Sequence, residues 1–119
     1  MLAARLFLFS GMAVILGFSN LSLATPKSEY MALIEKADQQ LILQRYEDAV
    51  ELYQKAMDHA EAPKEKVYVH YKLGMVYKNL NNRLKARQHF ENGISVLERE
   101  KGDKSMRFHL QQALLETLE

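Results

Sequence analysis

The chain of 119 residues contains no cysteine. Disulfides, zinc–thiolate sites, a cysteine nucleophile and a lipid-modified cysteine are thereby excluded. Proline occurs only at Pro26 and Pro63, so few positions are barred from a helix interior. The five glycines lie far apart, which rules out a glycine-rich phosphate loop. Charge of one sign is also lacking: Lys+Arg 16 against Asp+Glu 15 leaves +1. Arg5 lies in the apolar N-terminal stretch, so the rest is neutral (+1 − 1 = 0), and no basic stripe points to nucleic acid. No segment alternates with the two-residue period of a strand, so an all-α fold is expected.

What is present is an ordinary globular composition, 48% hydrophobic and 26% charged, in a length that allows one domain with a thin core. Residues 1–24 read as a secretory signal peptide. Arg5 supplies the positive n-region, Leu6 to Phe18 the apolar run, and Ser22-Leu23-Ala24 the small residues before a cleavage site. Thr25 then opens the mature domain, 25–119, and the expected location is the periplasm or the extracellular space. The alternative is an uncleaved anchor helix, since Leu2 to Leu23 carries one charge and nearly suffices to span a bilayer. Any membrane contact would come through residues 1–24 alone.

After Pro26 the apolar positions recur at three- and four-residue spacing. Tyr30, Leu33, Ile34, Ala37 and Leu41 mark a first helix with Ser28 as N-cap. Ala49, Leu52, Tyr53, Ala56 and Met57 mark a second. Pro63 breaks the chain before a third helix through Val67, His70, Tyr71, Leu73, Gly74 and Tyr77. Asn79-Leu80-Asn81-Asn82 favours a turn, and Ala86, Phe90, Gly93, Ile94 and Leu97 mark the fourth helix. Gly102-Asp103 ends it. The last helix carries a stripe of Met106, Leu110, Ala113, Leu114 and Leu118.

Two of these segments repeat each other. Ala49 falls on Ala86, Tyr53 on Phe90 and Ala56 on Gly93, a small, aromatic, small pattern recurring on one helical face. A unit of this kind cannot bury its apolar stripe alone, and stacking of neighbouring units is the usual solution.

Leu73-Gly74, Tyr77, Ala86, Phe90 and Gly93 in the second unit, and Ala37, Tyr46, Ala49, Tyr53 and Ala56 in the first, resemble the tetratricopeptide repeat, a helix-turn-helix unit of 34 residues. The resemblance covers about Tyr30 to Glu100 and implies an α-solenoid of antiparallel helix pairs. Repeat 1 would span about 30–63, repeat 2 about 67–100, and a capping helix about 103–119. In that pattern Gly74 lets the two helices of a unit approach, Ala86 packs the next helix, and Tyr77 and Phe90 fill the remaining space. The sequence departs from the family in two ways. The units are offset by 37 residues (86 − 49), placing about three extra residues near Lys64-Glu65-Lys66, and Leu33 and His70 stand where a tryptophan is often found.

Catalytic chemistry finds little support. His59, His70, His89 and His109 fall on different helices without metal-ligand spacing, and Ser95 lies in a helix rather than at a nucleophile elbow. No enzyme, cofactor or metal is expected. The resemblance instead implies a concave groove formed by the first helices of the units, lined by Met31, Ile34, Asp38, Leu41, Tyr68, Tyr71, Met75, Lys78 and Asn79. Some members of the family hold a terminal carboxylate with Lys and Asn. Ile34, Asp38, Tyr71 and Met75 occupy those places here, so a carboxylate clamp is not expected. Methionine and tyrosine suit an adaptable surface for an amphipathic helix or an apolar peptide. Two alternatives stay open: the last helix covers part of this surface, or a second copy fills it in a homodimer. The expected role is a protein-binding scaffold.

Overall fold

A computed structural model describes residues 27–100 and 104–119. The leader and the Gly102-Asp103 break lie outside the described residues. Five helices follow one another: α1 (Glu29–Ile42), α2 (Tyr46–His59), α3 (Pro63–Asn79), α4 (Arg83–Glu100) and α5 (Lys104–Thr117). There is no strand among the described residues, and no helix there is long and apolar enough to cross a membrane. The architecture is all-α and of helical-repeat type, with each helix packed on the next.

Local chemistry sets the helix ends. Ser28 Oγ accepts from the Met31 amide at 3.2 Å, satisfying one of the free donors at the start of α1. Pro63 takes the first position of α3, where its missing N–H costs nothing. Glu65 reaches back to accept from the Ala62 amide at 2.8 Å, one half of a capping box whose other half Ala62 has no side chain to supply. Asn82 Oδ1 accepts from the Lys85 amide at 3.2 Å to cap α4.

The repeat is visible in the backbone, bond for bond. Gln44 has φ 58° and Asn81 φ 59°, left-handed turn residues separated by the same 37 positions (81 − 44). Around Gln44 the amides of Leu43, Gln44 and Arg45 donate to the carbonyls of Gln39, Leu41 and Gln40. Around Asn81 those of Leu80, Asn81 and Asn82 donate to Val76, Lys78 and Tyr77, each pair shifted by 37. The helix starts tell where the extra residues went. α1 and α3 begin 34 residues apart (63 − 29) but end 37 apart (79 − 42). The three additional residues therefore lengthen α3 at its N-terminus instead of widening the connection before it.

The core is a continuous apolar cluster running through all five helices. Ala37, Ala49, Tyr53, Ala56, Ala86 and Phe90 are fully buried. Burying a side chain such as Phe90 or Leu73 is worth about 1.5–3 kcal/mol. Small residues set the helix separations: a Cβ built on Gly74 would lie 2.4 Å from Phe90 Cε1, and one on Gly93 would lie 3.1 Å from a Leu110 methyl. The first is a collision and the second a tight contact, so α3–α4 and α4–α5 each close over a glycine.

The expected stripe of α5 needs one correction. Leu110 and Ala113 are buried, but Leu118 is 59% exposed and Thr117, at 4%, takes the inward place. The helix ends at Thr117, so Leu118 is turned out of the register that carries Leu110. Thr117 satisfies its hydroxyl locally by donating to the Leu114 carbonyl at 2.6 Å, which makes its burial inexpensive.

Candidate binding groove

Helices α1 and α3 touch directly on one side of the molecule. Tyr30 Oη donates to the Glu65 carbonyl at 3.2 Å, and Lys72 Nζ lies 3.5 Å from Asp38 Oδ1. Between the helices runs a groove of about 620 Å³, lined by Tyr30, Met31, Ile34, Glu35 and Asp38 from α1, Lys64, Glu65 and Tyr68 from α3, and Met106 from α5. A second depression of about 330 Å³ lies nearer the turns, lined by Leu41, Ile42, Gln44, Tyr46, Tyr71, Lys72, Met75 and Asn79.

The expected groove residues are thus divided between two sites. Met31, Ile34, Asp38 and Tyr68 line the first, and Leu41, Tyr71, Met75 and Asn79 the second. Lys78 lines neither; its ammonium is bonded to Glu116 of α5. Ile34 is 6% exposed and Met31 46%, so Ile34 forms a floor while Met31 stands at the rim. Tyr71 is half-buried with its ring 6.3 Å from that of Phe90, which makes it a support for the core as much as a contact surface. Tyr30, Glu65, Lys72 and Met106 were not among the expected groove residues. Their participation follows from the pairing of α1 with the lengthened start of α3 and from the placement of α5, neither of which a repeat pattern specifies.

The carboxylates of the first groove are already satisfied. Glu35 pairs with Lys27 at 2.6 Å, Glu65 accepts from the Ala62 amide at 2.8 Å, and Asp38 accepts from Tyr53 Oη as well as pairing with Lys72. Lys72 also sits 5.6 Å from the centre of the Tyr68 ring, in cation–π range. Burial, then Glu65, pushes the Tyr30 hydroxyl up to about 12. Burial, then the bond to Asp38, raises Tyr53 as well. Both phenols stay neutral donors, and the open lining of the groove is mostly apolar and aromatic, with the Lys64 ammonium at its edge.

The four histidines are far apart along the chain, and the structure joins two of them. His70 Nδ1 on α3 and His89 Nδ1 on α4 stand 3.2 Å apart, a distance at which one neutral imidazole donates to the other. His89 also stacks on Tyr77, with centroids 5.5 Å apart and planes 8° from parallel. Burial, then His89, pushes His70 down to about 4; burial, then Lys85, pushes His89 down. The signal lay in the packing register. Once Gly74 meets Phe90, His70 falls beside Gly93, 3.5 Å from its Cβ position, one helical turn from His89. His59 and His109 are exposed and apart from this pair. Among the described residues no group of three or more His, Cys, Asp or Glu is placed to hold a metal ion.

Comparison with known proteins finds no family model, no curated protein and no solved structure that matches this chain.

Proposed function

We propose that this chain is a tetratricopeptide-like, non-enzymatic scaffold that binds an amphipathic helix or an apolar peptide of another protein between α1 and α3. The observation that carries this reading is the state of the groove: its carboxylates already have partners, while Met31, Ile34, Tyr68 and Met106 leave an apolar, aromatic lining open. A ligand that brings apolar side chains gains burial there without displacing an existing charge pair. A cationic ligand would have to compete with Lys27, Lys72 and the α3 cap for the groove's carboxylates. Methionine at the rim adapts to side chains of different shape, which suits peptide recognition in a groove.

A peptide library selected on the purified chain tests this. Enriched peptides are expected to carry apolar residues at i, i+3 or i+4 spacing, and Tyr68→Ala with Met31→Arg should weaken their binding by about 1–2 kcal/mol or more at an unchanged melting temperature. Enrichment of no peptide, or equal binding by the double variant, would remove the groove reading.

The proposed location is outside the cytoplasm, from the signal-peptide pattern of residues 1–24. N-terminal sequencing of the mature protein should begin at Thr25. Retention of residues 1–24 would instead favour an accessory domain anchored to the membrane.

A further inference from the structure

Helix α5 has two apolar faces, and only one of them is used. Leu110, Ala113 and Thr117 pack inward. On the opposite side Phe108 is 62% and Leu115 64% exposed, seven residues apart and so on one stripe, with the exposed Gln111 and Gln112 between them. Two exposed large apolar side chains aligned on one helix mark a contact surface more than a solvated one.

The charges of α5 say what fits. No acidic residue lies in its first turn and no basic residue in its last; Lys104 and Arg107 stand at the start, Glu116 and Glu119 at the end. That is the reverse of what the helix dipole favours. Arg107 is paired with Glu98 at 3.2 Å and Glu116 with Lys78, whereas Lys104 and Glu119 have no ion-pair partner among the described residues. A second helix of the same sequence, running antiparallel, reverses the mismatch at both ends. Lys104 precedes Phe108 by four residues within α5, and Glu119 follows Leu115 by four, two residues past the helix end at Thr117, where the chain is free to reach a facing Lys104. One register therefore sets Phe108 against Leu115 and Lys104 against Glu119, twice over by symmetry, with Gln111 beside Gln112 at the crossing. A self-complementary patch of this kind is what a two-fold interface requires.

We infer that α5 of one chain pairs antiparallel with α5 of a second copy through Phe108 and Leu115, with Lys104 and Glu119 setting the orientation. None of the pairing residues lines the groove between α1 and α3, so the pairing adds to the proposed binding function instead of replacing it.

Sedimentation velocity on the purified chain over a range of concentrations tests the pairing. A monomer–dimer equilibrium is expected. Phe108→Ser with Leu115→Ser should raise its dissociation constant by about tenfold or more, with far-UV circular dichroism unchanged because the inward face of α5 is untouched. Lys104→Glu alone and Glu119→Lys alone should each weaken the dimer a few-fold, as exposed pairs do. An equimolar mixture of the two single variants should recover dimers as heterodimers, in which both ends are again opposite in charge. A chain that is monomeric at every concentration overturns the inference. So does a dimer indifferent to the Phe108 and Leu115 changes, or a mixture no better paired than its components. If peptides selected on the groove abolish the dimer while the α5 variants do not, the partner copy sits in the groove instead.

Discussion

Phe90 occupies the space in which Gly74 would carry a side chain; a Cβ there would lie 2.4 Å from one ring carbon and 2.7 Å from two others. Replacing a mid-helix glycine by alanine ordinarily gains about 1 kcal/mol in helix propensity. Here the ring is fully buried and has nowhere to retreat, so overpacking at about 1–3 kcal/mol outweighs the gain. Gly74→Ala is expected to lower stability by about 1–2 kcal/mol in a denaturant titration. At Gly93 the added methyl meets the end of the flexible Leu110 side chain at 3.1 and 3.2 Å, which needs to shift only slightly. Gly93→Ala should therefore stay within about 1 kcal/mol of the parent, because propensity and crowding nearly cancel. Equal losses at the two glycines would show that α5 is held as rigidly on α4 as α4 is on α3.

Tyr53 belongs to α2, yet its hydroxyl ends on Asp38 of α1, which in turn pairs with Lys72 of α3. Three helices thus meet at one carboxylate. A hydrogen bond to a charged acceptor is worth about 1.5–3 kcal/mol, and the part-exposed Asp38 places this one near the low end. Tyr53→Phe should cost about 1–2 kcal/mol, and Asp38→Asn less, since the amide oxygen still accepts. A double-mutant cycle between Tyr53→Phe and Asp38→Ala should give a coupling of about 1 kcal/mol; additive losses would mean that the two side chains do not act together.

How much of this was legible in the sequence depends on the range of each signal. Apolar spacing marks where helices lie, and Ser28, Pro63 and the Asn81-Asn82 turn mark their ends, because these effects act within a few residues. The pairing of Ala49 with Ala86 set the 37-residue offset that the turns at Gln44 and Asn81 reproduce. The extra residues near Lys64 were legible as a number and not as a lengthened α3, since charged residues are equally at home in a loop and in the exposed first turn of a helix. Hydrophobicity favours Leu118 over Thr117 for the inward place, although the seven-residue step from Leu110 ends on Thr117. Spacing along the chain does not join His70 to His89, because their contact is set by the packing of α3 on α4. Helix positions alone imply one continuous groove; the Asp38–Lys72 pair between its two parts depends on a side-chain reach that no pattern of helix positions contains.

The histidine pair makes stability depend on pH. His70 is lowered from 6.5 to about 4, chiefly by burial and then by His89, and His89 is lowered too, by burial and then by Lys85. In the unfolded chain both imidazoles bind protons as the pH falls through about 6.5, whereas in the folded chain they resist. The unfolded state then holds more protons, so the stability is fully present above pH 6.5 and is lost as the pH falls from there toward 4. Melting temperature should be flat just above neutrality and decline below about pH 6.5. His70→Gln keeps an amide facing His89 and removes one titrating ring, so its decline should be shallower than that of the parent. Parallel declines would remove His70 as a source of the acid sensitivity and leave it to His89 and the carboxylates.

Leu110 and Leu118 sit on the same helix and differ in what they touch. Leu110 is fully buried against Gly93 of α4, while Leu118 is 59% exposed beyond the end of α5. Truncating a buried leucine removes its transfer free energy and leaves a cavity, together about 2–5 kcal/mol; truncating an exposed one changes stability by less than about 0.5 kcal/mol. For a domain whose whole stability is of order 5–15 kcal/mol, Leu110→Ala should lower the melting temperature by many degrees, or free α5 from α4 altogether. Proteolysis then distinguishes these outcomes. If α5 detaches, cleavage after Lys104 or Arg107 should become fast while α1 to α4 stay protected. If the whole chain unfolds together, protection is lost throughout. Leu118→Ala should match the parent in both assays, and a loss comparable to that of Leu110→Ala would place Leu118 back on the inward stripe.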